Sequence, residues 1–192
     1  MKGYYIYHIT ELPQLLHILN DGILYANKYI EKKYWRMLSQ EDVPYIFTRL
    51  FLDEPFNKDL STLGIAVILD PKLLLKQSSI YNDGWVAKPD ENSILLNLQD
   101  DQQIINNKIN TIFEHVIKND KDALNEMGLP LKSHEVMFIG RIILKDYLVG
   151  IMCPNCDESA INKIKKTLKI HQMDHIKIFT GNSFPDVKKV VS

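Results

Sequence analysis

The chain is poor in cysteine. Cys153 and Cys156 are its only two in 192 residues, and they lie too close in sequence to staple distant parts of a fold, so two reduced thiols in a reducing compartment are expected. It also lacks any apolar run near the roughly 20 residues that span a bilayer. The N-terminus has no basic leader followed by a small-residue cleavage site. A soluble, cytoplasmic protein with no membrane partner is the expectation. Charge of one sign is missing too: 23 basic and 24 acidic residues leave a formal net charge of −1, which excludes a global field drawing the chain onto nucleic acid or a membrane. A polyanionic partner would need a local patch, and the best candidate, Lys163, Lys165, Lys166 and Lys169, reads as the solvated face of a helix. No repeat, low-complexity segment or Gly/Ser-rich linker divides the sequence.

What is present is apolar content, 45% of the residues. That suffices for one substantial core and predicts a single domain over 1–192. Residues 3–10, rich in Tyr and Ile, read as a buried strand. Leu12, Leu15, Leu16 and Leu19 follow at helical spacing, with Thr10 as the expected N-cap, Pro13 in the first turn and Asn20-Asp21-Gly22 as the stop. A short strand is expected at 23–25. Residues 27–42, with Lys28, Lys32, Lys33, Trp35 and Arg36, fit a helix or a loop equally well. Strands are predicted at 43–50 and 64–69, the second almost wholly apolar and ended by Asp70-Pro71. Residues 73–75 read as a helical turn, and 80–85 as a segment containing a turn. Ile104, Ile105, Ile109, Ile112, Phe113, Val116 and Ile117 trace one helix face. After Gly128-Leu129-Pro130 come strands at 135–139, 141–144 and 148–152, a helix at 157–168 and a last strand at 176–179. Strands outnumber βαβ alternations, so the fold class is α+β with mostly antiparallel strands.

One motif points toward metal. Cys153-Pro154-Asn155-Cys156, then His171 and His175, fits a C-x2-C, spacer, H-x3-H zinc pattern. The spacer opposes it. Ile161, Ile164 and Leu168 form an apolar stripe that needs a helix, and a helix of that length, on the order of 20 Å, holds the two ligand pairs apart. Zinc ligands must converge on one ion at about 2.0–2.3 Å. No metal is expected.

A different pattern points toward a ligand cleft. Tyr7-His8-Ile9-Thr10 lies in the first strand, Tyr45-Ile46-Phe47-Thr48-Arg49 in a later one, and Ser133-His134-Glu135 opens a third, ahead of Val136-Met137-Phe138-Ile139. Each strand carries polar groups among apolar neighbours, which is how a cleft in a sheet is furnished. A lone strand histidine is by default a satisfied core residue, Thr48 a β-former, and Arg49 and Glu135 surface charges. Their order along the chain argues otherwise. Together with Leu15-Leu16-His17-Ile18-Leu19-Asn20-Asp21-Gly22-Ile23 after the first strand, the set resembles the ADP-ribosyltransferase superfamily, as a divergent bacterial or viral-type member, over residues 7 to about 154.

The resemblance implies a split antiparallel sheet flanked by helices, with NAD as substrate in the cleft between its halves. In such proteins the histidine, here His8, hydrogen-bonds the adenosine ribose, which places His8 and Thr10 on the adenosine side. Thr48, or alternatively Tyr45, would supply a hydroxyl bracing the catalytic carboxylate, and Arg49 would offset the pyrophosphate. Glu135 would be catalytic. Cleaving the N-glycosidic bond of NAD builds positive charge on the ribose, and a carboxylate on the 2′-hydroxyl stabilises that oxocarbenium-like state. Members that modify arginine carry a second Glu two residues earlier, where this chain has Ser133, so arginine-directed transfer is disfavoured. The expected activity is glycosyl transfer of ADP-ribose to a macromolecular acceptor, protein or nucleic acid. A catalytically silent binding module of the same fold and a tRNA 2′-phosphotransferase-like enzyme are the alternatives.

Overall fold

Tyr4–Thr10 forms β1, as aromatic and β-branched side chains favour on a pleated, half-buried surface. The computed structural model describes residues 4–26, 44–52, 64–83, 89–127 and 134–180. The stretch 27–42, Val43, Gly84, Trp85, Gly128 to Pro130 and Ser133 lie outside these. From β1 the chain enters helix α1, Leu12–Asp21, with Pro13 in its first turn and Gly22 as its stop. Gly22 has φ 66°, a left-handed conformation that costs a glycine little. The cap is not Thr10 as expected. Thr10 stays in β1, paired with Ile65 of the fourth strand and 2% exposed. Glu11 becomes the N-cap without a side-chain bond, so ladder pairing outweighs the capping preference of a threonine.

The strands β2 (Ile23–Tyr25), β3 (Tyr45–Leu52), β4 (Ile65–Leu69), β5 (Ser79–Asp83), β6 (Ile94–Leu96), β7 (His134–Ile139), β8 (Arg141–Ile143), β9 (Leu148–Met152) and β10 (Lys177–Phe179) follow. Helices α2 (Gln102–Met127), α3 (Leu144–Tyr147) and α4 (Glu158–Ile170) sit between them, with a 3-10 helix at Pro71–Leu75. Eight strands make one sheet in the order β10-β9-β4-β1-β3-β7-β5-β6, and β2 pairs separately with β8. Among these pairs only β10 with β9 is parallel. The α+β, mostly antiparallel layout is therefore as expected, with two corrections. Within the segment 80–85, where a turn was expected, residues up to Asp83 belong to a strand, because β5 pairs with β7 on one side and β6 on the other; Gly84 and Trp85 lie outside the described residues. The three-residue strand β6 has no counterpart among the sequence expectations.

The sheet is split at its middle. The β1–β3 ladder runs from Tyr4 opposite Leu52 to Tyr7 opposite Arg49 and stops there. Both strands continue, β1 to Thr10 along β4 and β3 back to Tyr45 along β7. Two four-stranded halves, β10-β9-β4-β1 and β3-β7-β5-β6, thus diverge beyond that point. The main core lies on one face. Ile6, Ile46, Leu50, Val67, Leu69, Val136 and Phe138 pack there with Leu15 and Leu19 of α1, Ile105, Ile109, Ile112 and Val116 of α2, and Ile164 and Leu168 of α4. Tyr4 stacks on Phe113 of α2 at 3.8 Å between ring centroids. On the other face Tyr5, Tyr7, Ala66, Ile68, Met152 and Phe179 form a second cluster.

α4 occupies the spacer of the cysteine and histidine motif. Its N-cap Asp157 accepts a bond from the Ala160 N–H at 2.7 Å, and His171 is the residue at its other end. The thiol and imidazole pairs therefore flank a helix about 20 Å long. The thiols themselves correct the expectation of two reduced cysteines. Cys153 and Cys156 are joined as a disulfide. A turn in which the Cys156 N–H meets the Cys153 carbonyl holds their Cα atoms 5.4 Å apart, within disulfide reach. Among the described residues no helix is long and apolar enough to cross a membrane.

Candidate active site

Antiparallel register decides which side chains can meet, since successive residues of a strand point to opposite faces. In β1, Ile6 faces the main core, while Tyr5 and Tyr7 face the second cluster. Tyr7 is opposite Arg49, Arg49 is opposite Glu135, and Glu135 is opposite Asn82. One further step along the β5–β6 register, in which Tyr81 faces Ile94, brings Ser93 level with Asn82. A polar row thus crosses four strands on one face of the sheet and ends at Ser93, the residue before β6. The next row, Phe47, Met137 and Ile80, is apolar. A row of this kind is expensive to bury unless its members bond to one another.

Glu135, Asn82 and Ser93 do so, where Glu135 is 4% exposed and Asn82 1% exposed. The Asn82 amide Nδ2 donates to Glu135 Oε2 at 3.5 Å, and the Ser93 hydroxyl donates to Asn82 Oδ1 at 2.5 Å. Half-buried Arg49 stands directly across from Glu135 as its β3 neighbour. A guanidinium beside a carboxylate in a partly dry site gives each charge a counterpart. Tyr45 and Phe47 precede Arg49 at alternate positions of β3 and share its face, their rings edge to face with centroids 6.5 Å apart.

The remaining sequence candidates lie elsewhere. His8, Thr10 and Thr48 alternate onto the face opposite Glu135. His8 faces Val67 in the β4 ladder and is half-buried at the seam where the β1–β3 ladder ends. Its Nδ1 lies 2.8 Å from the Phe47 carbonyl. A carbonyl can only accept, so Nδ1 carries the proton, and a side-chain bond continues the link between the halves where ladder pairing ceases. The Thr48 hydroxyl, 2% exposed, donates to the Val136 carbonyl at 2.7 Å. It braces backbone, while Asn82 donates a hydrogen bond to the Glu135 carboxylate. His134, next to Glu135, points into the main core, where its Nδ1 and the Tyr81 hydroxyl are hydrogen-bonded at 2.9 Å. Among the described residues no group of three His, Cys, Asp or Glu side chains is placed to hold a metal.

Sequence reasoning nominated Glu135, Arg49 and Tyr45, which the register places on one face, and did not single out Tyr7, Asn82 and Ser93 as site residues. The signal for Asn82 was weak. A lone polar residue after Ile80-Tyr81 was masked by Asn82-Asp83-Gly84, a turn-like composition.

The fold is that of the ADP-ribosyltransferase-fold protein DarT. The structure of Thermus sp. 2.9 DarT in complex with carba-NAD+ matches with a TM-score of 0.55 at 11% identity, over 93% of this chain and 96% of that one. The same protein in complex with NAD+ gives 0.52 at 12%, over 94% and 97%. Its complex with ADP-ribosylated ssDNA gives 0.51 at 13%, over 93% and 94%. No curated protein matches the sequence. One family model does, across residues 1–119, which takes in β1, the seam and Arg49 and stops short of Glu135, and on that match the chain belongs to the family of unknown function DUF5846.

Proposed function

We propose that the protein is an NAD-dependent ADP-ribosyltransferase whose catalytic carboxylate is Glu135. The observation that carries this reading is the direct opposition of Arg49 and Glu135 in a buried polar row at the split of a DarT-like sheet. In the reaction the bond between the nicotinamide nitrogen and the ribose breaks, and nicotinamide leaves with the electron pair. Positive charge then develops on the ribose. Glu135, accepting a hydrogen bond from the 2′-hydroxyl, stabilises that charge, and an acceptor nucleophile attacks the same ribose carbon. Arg49 offsets the negative pyrophosphate. His8 and Thr10 lie on the sheet face opposite Glu135 and make no ligand contact in this reading.

The acceptor in this reading is a single-stranded nucleic acid. Support comes from the DarT complex with ADP-ribosylated ssDNA. It also comes from half-buried Tyr45 and Phe47, which precede Arg49 on the same strand face. Aromatic rings beside a cation suit a stacked base next to a phosphate.

The test is nicotinamide release from NAD, with and without a single-stranded oligonucleotide whose mass is then measured. Wild-type protein should release nicotinamide and add ADP-ribose to the oligonucleotide. Glu135→Gln, folded as judged by circular dichroism, should lose about 10²–10³-fold in rate, the usual cost of removing one electrostatic stabiliser. Equal release by wild type and Glu135→Gln would refute the assignment of the carboxylate. Modification of added protein with the oligonucleotide unchanged would refute the acceptor.

A further inference from the structure

The polar row does not end at the carboxylate. Asn82 is almost fully buried, and an amide in such a place is costly unless both its ends are satisfied. Its Nδ2 meets Glu135 Oε2, and its Oδ1 meets the Ser93 hydroxyl. Ser93 is itself held by a tight turn. The Asp90 N–H donates to Ser93 Oγ at 2.7 Å, the Ser93 N–H donates to the Asp90 carbonyl at 3.2 Å, and Asp90 Oδ1 accepts from the Asn92 N–H at 2.9 Å. The Ser93 hydroxyl has one proton and two acceptors in reach, Asn82 Oδ1 at 2.5 Å and Asp90 Oδ1 at 3.2 Å. The nearer one takes it.

These bonds have a direction. The carboxylate of Glu135 only accepts, so it faces the NH2 end of the Asn82 amide, and the short bond from the Ser93 hydroxyl to Asn82 Oδ1 holds the amide in that orientation. Turned over, the amide would set its oxygen against the Glu135 carboxylate, two acceptors facing each other, and would send the Ser93 proton to the more distant Asp90 Oδ1 at 3.2 Å. The turn at Asp90 and Ser93 thus acts on the Glu135 carboxylate through Asn82. Asn82 is a cross-strand neighbour of Glu135 on β7, opposite to Arg49, so the carboxylate is flanked by a donor from each side.

We propose that Asn82 and Ser93 are positioning residues for Glu135: Ser93 orients the Asn82 amide, and Asn82 holds the carboxylate in its ionised form and aimed at the substrate. The proposal deepens the ADP-ribosyltransferase reading and rests on it for its effect on turnover. Its physical core, control of the Glu135 carboxylate, can be read without turnover.

The experiment follows the side-chain carboxyl carbon of Glu135 by NMR in glutamate-labelled protein across an acid titration, with the resonance assigned by its loss in Glu135→Gln. A donor to the charged form lowers a carboxyl pKa, so removing it raises the pKa. Asn82→Ala should move the Glu135 titration up by about half a unit or more. Ser93→Ala should move it in the same direction by less, and Ser93→Thr, which keeps the hydroxyl, should return it to the wild-type position. Because Ser93 lies in a surface turn, its variants read the effect even if Asn82→Ala fails to fold. NAD turnover, measured on the same proteins, should show kcat falling about tenfold in Asn82→Ala with KM changed less than about twofold, the pattern of a group that acts on the transition state. An unshifted Glu135 titration in both Asn82→Ala and Ser93→Ala would overturn the proposal. If wild-type protein released no nicotinamide while the titration shifted as expected, the enzymatic reading would fall and the positioning would stand.

Discussion

Replacing Thr48 by Val separates a structural hydroxyl from a ligand-binding one. The two side chains have nearly the same shape, so the change removes one O–H and little packing. In the protein that O–H donates to the Val136 carbonyl at 2.7 Å in a place where Thr48 is 2% and Val136 0% exposed. A buried carbonyl that loses such a partner typically costs about 1–3 kcal/mol, and relieving the desolvation of the hydroxyl returns part of that. A net loss of about 0.5–1.5 kcal/mol is expected. For a chain of 192 residues, each kcal/mol lowers Tm by about 2–4 °C. Urea denaturation should show the midpoint falling with the slope unchanged, the mark of altered stability in one unchanged transition. The KM for NAD should stay within about twofold, because Thr48 and Glu135 lie on opposite faces of the sheet. Unaltered stability together with a KM raised about tenfold would show that the hydroxyl faces the ligand, and would refute this account of the register.

Gly150 lies against Phe179 so closely that a Cβ at that position would be 2.6 Å from Phe179 Cε2 and 3.4 Å from the Lys177 carbonyl. Gly150→Ala should therefore destabilise by about 1–3 kcal/mol in urea, and Phe179→Leu should restore part of it; an unchanged midpoint would count against the packing described. Burial pushes the Tyr4 phenol up from 10.0. Its folded form thus holds the proton more tightly than the unfolded chain, so this contribution to stability is intact below pH 10 and falls as pH rises through the folded pKa. Alkaline denaturation of Tyr4→Phe should lack that component, and identical pH profiles for the two proteins would exclude it.

The strands that the sequence makes readable are those whose side chains are uniformly apolar or cleanly bounded. β4 with Gly64 before it and Asp70-Pro71 after, and β7 with Val136, Met137 and Phe138, are of this kind. Helix α4 was readable from Ile161, Ile164 and Leu168. β5 was not, because Asn82 and Asp83 carry turn chemistry into a strand whose pairing with β7 is set far away in sequence. The same limit applied to the site. Glu135 and Arg49 could be nominated by residue type and order. That they stand face to face while His8, Thr10 and Thr48 turn away depends on register, and a shift of one residue would exchange the two groups. Local pattern does not encode that choice; the packing of Ile6, Ile46 and Val136 against α1 and α2 makes it.

The ladder joining β3 to β7 has a consequence for how the molecule comes into being. Thr48 and Val136 are 88 residues apart, and closing a loop of that length costs on the order of 4 kcal/mol in chain entropy before any contact is made. At roughly 5–20 residues per second of synthesis, β3 waits on the order of ten seconds for its partner strand to be made. Arg49 emerges early with neither Glu135 nor Asn82 to meet it. Any chemistry that requires the three together waits until β7 has been made, and a shorter nascent chain carries Arg49 without its carboxylate.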